Sequence, residues 1–114
     1  MVKFLIFTLL SITIMNKTYA ASNNLFFTAA QLLTYCNSEN LYEQGICDGY
    51  VIAVNDVIYS IDKKKTNICV PQNVSIKKIR LSIVNFIIDN AGLMSVEANK
   101  VIGEFFVNNF RCKN

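Results

Sequence analysis

The chain has 114 residues, 17% of them charged, a formal net charge of +3, four cysteines and no histidine. That length supports one small domain. The missing histidine excludes Ser–His and Cys–His dyads and mixed Cys/His zinc sites, and the weak net charge gives no footing for a general nucleic-acid or membrane-surface role.

Lys3 is followed by an apolar run from Phe4 to Met15, broken only by Thr8, Ser11 and Thr13. Thr18-Tyr19-Ala20 then places small residues at both key cleavage positions. Residues 1–20 are therefore expected to be an export signal cleaved after Ala20. The apolar run falls short of the roughly 20 residues that span a membrane, so no stable span is expected after cleavage. Residues 21–114 form the expected single domain. Lys3 and Lys17 lie in the leader, which leaves this domain nearly neutral. A domain of this size buries only about 60–65% of its unfolded surface, a marginal core that covalent links would reinforce.

The first helix is expected to start after Thr28, with Gln31 completing a capping box. Ala29, Leu32, Leu33 and Cys36 repeat at helical spacing. Asn37 to Asn40 read as a polar turn. In the second helix Ile46, Tyr50, Ala53, Val54, Val57, Ile58 and Ile61 form the expected buried stripe. Gly49 weakens such a helix and is expected to mark the close approach of another backbone. Asp62 to Asn67, with its three lysines, breaks the pattern and reads as an exposed loop. Cys69-Val70-Pro71 is extended, because proline disfavours the helical conformation in the residue before it; Ile68 to Val70 also admits a strand reading. Ser75 caps a third helix whose stripe is Ile76, Ile79, Ile83, Phe86 and Ile87, widened by Leu81, Val84 and Ile88, as expected of a central helix. Gly92 is expected to end it in a left-handed C′ position. Ser95 is expected to cap a fourth helix, with Glu97 in its first turn and Ala98, Val101, Ile102, Phe105 and Phe106 buried. The fold class is thus all-α, a four-to-five-helix domain built from two helical hairpins.

Four cysteines in a short exported chain read as a disulfide framework. Cys36 ends the first helix and Cys47 begins the second, so a Cys36–Cys47 bridge would staple that hairpin, leaving Cys69 for Cys112. The two other connectivities remain open from spacing alone.

Leu32-Leu33, Cys36, the run Cys47-Asp48-Gly49-Tyr50-Val51, Asp56, Cys69-Val70-Pro71 and the terminal Phe110-Arg111-Cys112 together resemble the Rap/Tai family. These are small periplasmic immunity proteins that protect bacteria from peptidoglycan amidases delivered by type VI secretion. The resemblance runs from about Phe26 to Cys112. It departs from the family at Ala53, where a second glycine is frequent, at Ala91, near a frequent proline, and at Arg111, where proline commonly precedes the last cysteine. It implies a non-catalytic, cofactor-free helical protein in the periplasm of a Gram-negative bacterium. Such a protein would bind and occlude a cognate amidase effector, with a homodimer as a further expectation. Gly49, Tyr50, Asp56 and Pro71 would be structural positions of the motif.

Tyr50 lies on the expected stripe and reads as a packing residue, while Asp48 and Asp56 read as a solvated face. Lys63, Lys64 and Lys65 form the sharper binding candidate, a basic loop suited to an acidic rim; the plain alternative is a solvated loop. Glu39 and Glu43, in the connection from Glu39 to Gln44, offer a second candidate surface. Two other functions fit the same composition: a small periplasmic acid-stress chaperone, and an exported binding protein that reuses the immunity scaffold.

Overall fold

The computed structural model describes residues 26–61 and 67–113. The expected export signal and Lys63, Lys64 and Lys65 lie outside the described residues. Among these residues the chain forms α1 (Ala29–Cys36), α2 (Leu41–Ile61), α3 (Ile76–Asp89), a 3₁₀ turn (Ala91–Leu93) and α4 (Ala98–Asn109). No strand forms among the described residues. The fold is all-helical, with both expected disulfides, Cys36–Cys47 and Cys69–Cys112, in place.

The capping box forms as the sequence requires: Gln31 N donates to Thr28 Oγ1 at 3.2 Å, and Thr28 N donates to Gln31 Oε1 at 2.9 Å. Ser75 caps α3 by accepting from Lys78 N at 3.2 Å. At the head of α2, Asn40 Oδ1 accepts from Tyr42 N at 2.9 Å and from Glu43 N at 3.3 Å, which satisfies two of the amides a helix start leaves open.

Helix α4 has the buried stripe its periodicity predicts: Ala98, Val101, Ile102, Phe105 and Phe106 are all buried. Its start differs. Ser95 is not the cap; Glu97 occupies that position and makes no side-chain capping bond. The N-termini of α1 and α4 satisfy each other instead. Ala29 N and Ala30 N donate to the Val96 and Met94 carbonyls at 2.8 and 2.9 Å, and Ala98 N donates to the Phe27 carbonyl at 2.7 Å. A backbone partner from a distant segment replaces the expected local hydroxyl.

Gly92 does not take the left-handed position. No described glycine has positive φ, and the chain leaves α3 through the 3₁₀ turn. Asn90 serves as C-cap, with Nδ2 donating to the Phe86 carbonyl at 2.8 Å. The left-handed residue is Asn67, φ 49°, a residue type that tolerates this conformation. Beyond it, Ile68 and Arg111 make an isolated antiparallel bridge, with Cys69 N donating to Phe110 O at 2.7 Å and Cys112 N to Asn67 O at 2.9 Å. The strand-like segment at Ile68 therefore pairs, but only as a single bridge.

Helix α1 packs against all three other helices. Ala29, Leu32 and Cys36 of α1 join Ile79, Ile83, Val84 and Ile87 of α3 and the α4 stripe in one core. Leu81 and Ile88, expected to widen the α3 stripe, are each 51% exposed. On α2 the fully buried residues are Cys47 and Val51; Tyr50, Val54 and Ile58 are half-buried, and Ala53 and Val57 face outward. The predicted stripe is thus rotated. The disulfide explains it, because bonding to Cys36 turns Cys47 into the core and carries Val51, one turn on, with it.

Gly49 also departs from expectation. It is exposed, and a methyl group placed on its Cα would meet no atom within 4 Å. No backbone approaches it. Gly49→Ala is therefore expected to stabilise the protein by about 0.5–1 kcal/mol through helix propensity alone, measured as a higher urea midpoint. A lower midpoint would mean that the glycine has a packing role after all.

Candidate functional site

The outward side of α2 is the most unusual surface of the molecule. Leu41 and Tyr42 are 82% and 78% exposed, and Ile52, Val57 and Tyr59 are roughly half exposed. Asp56 is the charged residue among them. A solvated helix face normally carries mixed charges, and large apolar side chains exposed along one face point to an interaction site.

Two grooves flank this ridge. One, of about 320 Å³, runs between Phe26, Tyr50, Ala53, Val54, Val57 and Asn99 and is almost wholly apolar. The other, of about 330 Å³, lies between α2 and the extended segment after Cys69, with Ile58, Ile68 and Val70 inside and Asn55, Asp56, Tyr59 and Gln72 around it.

Tyr50 connects the first groove to the core. Its ring lies 5.3 Å from that of Phe27, which stacks at 5.6 Å on Tyr35. Burial pushes the Tyr50 phenol above its ordinary value of 10.0; the Asn99 backbone amide opposes this, and the charge of Glu97 adds to it. The raised value means that the unfolded chain ionises first. Stability linked to this phenol is complete below about pH 10 and is lost as the pH climbs through the folded value. Wild type is expected to lose more stability than Tyr50→Phe between pH 9 and pH 11 (about the range of tyrosine titration), read from urea midpoints. Parallel curves would refute the linkage.

Asp48 corrects the solvated-face reading. Its Oδ2 accepts from Arg80 Nη1 at 2.5 Å, and Arg80 Nη2 donates to Gln44 Oε1 at 3.1 Å. Gln44 Nε2 in turn donates to the Ser38 carbonyl at 2.8 Å. This network clamps α3 to α2 and to the α1–α2 turn, so Gln44 belongs to the framework. Sequence reasoning missed Arg80. The available signal was its register: it falls between Ile76 and Ile83, where a charge must find a partner.

Glu39 is exposed in the α1–α2 turn and Glu43 is half-buried in the first turn of α2, beside Leu41 and Tyr42. They lie at the Leu41–Tyr42 end of α2. Asp56 lies further along α2, on the rim of the second groove, and its side chain makes no bond to a described residue. Pro71 is exposed in the extended segment, its carbonyl accepting from Val74 N at 3.2 Å. Among the described residues, no group of histidine, cysteine or carboxylate side chains is placed to hold a metal ion, and no helix is long and apolar enough to cross a membrane.

A family model described as Rap1a immunity proteins matches residues 28–112. The chain belongs to this family. No curated protein and no solved structure matches it. As a Rap1a family member it is an immunity protein, one that works by binding an effector, and its two disulfides accord with an exported protein. In this Rap1a fold the cysteines form the frame, while the α2 ridge and its grooves remain open.

Proposed function

We propose that this immunity protein is exported to the periplasm, where it binds a cognate peptidoglycan amidase delivered by type VI secretion and occludes its active-site cleft. The family match across nearly the whole folded domain carries the reading, and the amidase is the effector class implied by the motif residues from Cys36 to Cys112. The open apolar ridge of α2 supports a protein rather than a small molecule as the ligand. Exposed aromatic and aliphatic side chains such as Tyr42, Leu41 and Val57 suit the centre of an interface. Glu39 and Glu43 at one end of the ridge would then contribute polar contacts at its margin, and Lys63, Lys64 and Lys65, which follow α2 in the sequence, are further candidate contacts. A homodimer is a further expectation of the family resemblance.

The oxidised domain, residues 21–114, should be mixed with a candidate peptidoglycan amidase, sought first among the genes beside its own, and followed by calorimetry and by hydrolysis of purified peptidoglycan. The expected result is about nanomolar affinity with loss of hydrolysis at one equivalent. An amidase that remains fully active in a several-fold excess of the protein would sink the proposal.

A further inference from the structure

We infer that the groove beside Asp56 is a seat for the side chain of an arginine presented by the protein partner. The inference rests on the effector-binding reading for the source of that arginine, and it adds which chemistry the partner must bring.

The groove has the two parts that a long cationic side chain needs. Its inner surface is aliphatic, formed by Ile58 from α2 and by Ile68 and Val70 from the extended segment, and such a surface covers a methylene stem. Its rim is polar, with the Asp56 carboxylate beside the side-chain amides of Asn55 and Gln72, whose oxygens can accept hydrogen bonds. Among the described residues, no lysine or arginine lines it. Asp56 makes no ion pair or hydrogen bond to a described residue, in contrast to Asp48, which Arg80 neutralises.

Size and rigidity point the same way. A volume of about 330 Å³ sits at the low end of ligand pockets, about 300–1,000 Å³, and suits one side chain. The far wall is fixed before any ligand arrives, because the Cys69–Cys112 disulfide and the backbone bonds from Cys69 N to Phe110 O and from Cys112 N to Asn67 O hold it. A preformed wall spares the ordering cost of binding. Arginine fits better than lysine, since its planar fork reaches a carboxylate and neighbouring carbonyl oxygens together and it sheds water more readily. On a ridge that is otherwise apolar, one such pair at the edge would set the orientation of the partner and reject partners without the cation.

The test uses the oxidised domain, labelled with ¹⁵N, and N-acetyl-arginine methylamide as probe, with the citrulline analogue as a neutral control of the same shape. Saturable amide shifts are expected in Asn55 to Tyr59 and Ile68 to Gln72 with the arginine compound. They should be absent with the citrulline compound and in Asp56→Asn. The same variant should keep the wild-type melting temperature and bind the amidase about tenfold or more weakly. Equal shifts with both compounds would overturn the proposal, as would full amidase affinity in Asp56→Asn. Should the wild-type domain bind no amidase, the effector reading falls while the titration still decides the groove.

Discussion

Asp48→Ala is expected to destabilise the protein by about 3 kcal/mol, because it strands a guanidinium in the core. Arg80 is 7% exposed and has Asp48 as its only charged partner among the described residues. Removing one member of a buried pair typically costs about 3–5 kcal/mol. The lower end applies here, since the Asp48 side chain retains 22% exposure and Gln44 still accepts one guanidinium hydrogen bond. The loss should appear as a reduced urea midpoint with an unchanged slope. The pair need not add net stability of its own: its desolvation penalty is large, and Asp48 Oδ1 is buried without a partner. The double variant Asp48→Leu with Arg80→Met should therefore recover most of what Asp48→Ala loses. If Asp48→Ala were as stable as wild type, the network would be ornamental and the clamp between α2 and α3 would have to be sought elsewhere.

Reduction of the disulfides should have the larger effect. The Cys36–Cys47 bridge spans 11 positions and the Cys69–Cys112 bridge 43, which in the chain-entropy model correspond to about 3 and about 4 kcal/mol. Together they rival the whole stability of a small domain, about 5–15 kcal/mol, so the reduced protein is expected to be unfolded or nearly so at 37 °C. The order of reduction should follow exposure. Cys36 and Cys47 are 3% and 0% exposed, whereas Cys69 lies on the surface, so a mild reductant should open Cys69–Cys112 first. Mass spectrometry after timed alkylation separates the two steps, and thermal melts report the stability of each species. An unchanged melting temperature after full reduction would contradict this account.

Periodicity was enough to place all four helices, because each is a local pattern, and the meeting of helix ends pointed to both bridges without excluding the other connectivities. The α4 stripe was legible to the residue, since polar positions such as Asn99, Lys100 and Glu104 mark its other side. The orientation of α2 was not. That helix is apolar around most of its circumference, so its pattern has no clear polar minimum, and the bridge at Cys47 decides which side turns inward. Asp48 with Arg80 was illegible for another reason: a single sequence does not say which charge on one helix meets which on another. The two missed caps have different causes: at Ser95 a long-range backbone partner, Phe27, closes the start of α4, and at Gly92 the local cap Asn90 closes α3 two residues earlier. The candidate surface followed from the same rotation. Once Cys47 and Val51 turn in, Val57 and Ala53 must turn out, and Asp56 is left beside a groove.

The reciprocal capping of α1 and α4 bears on how the domain comes together. The first turn of α1 is closed by carbonyls of Met94 and Val96, and the first amide of α4 by that of Phe27, so each helix start waits on a segment from the other end of the domain. Helical proteins generally fold fast because their contacts are local, and pairings of distant segments slow the search. This one joins its first helix to the start of its last through backbone bonds, and the middle of the chain to its last cysteine through the Cys69–Cys112 bridge. Slower refolding than in bundles that zip up hairpin by hairpin is therefore expected, with the seating of α1 waiting on the segment from Met94 to Ala98.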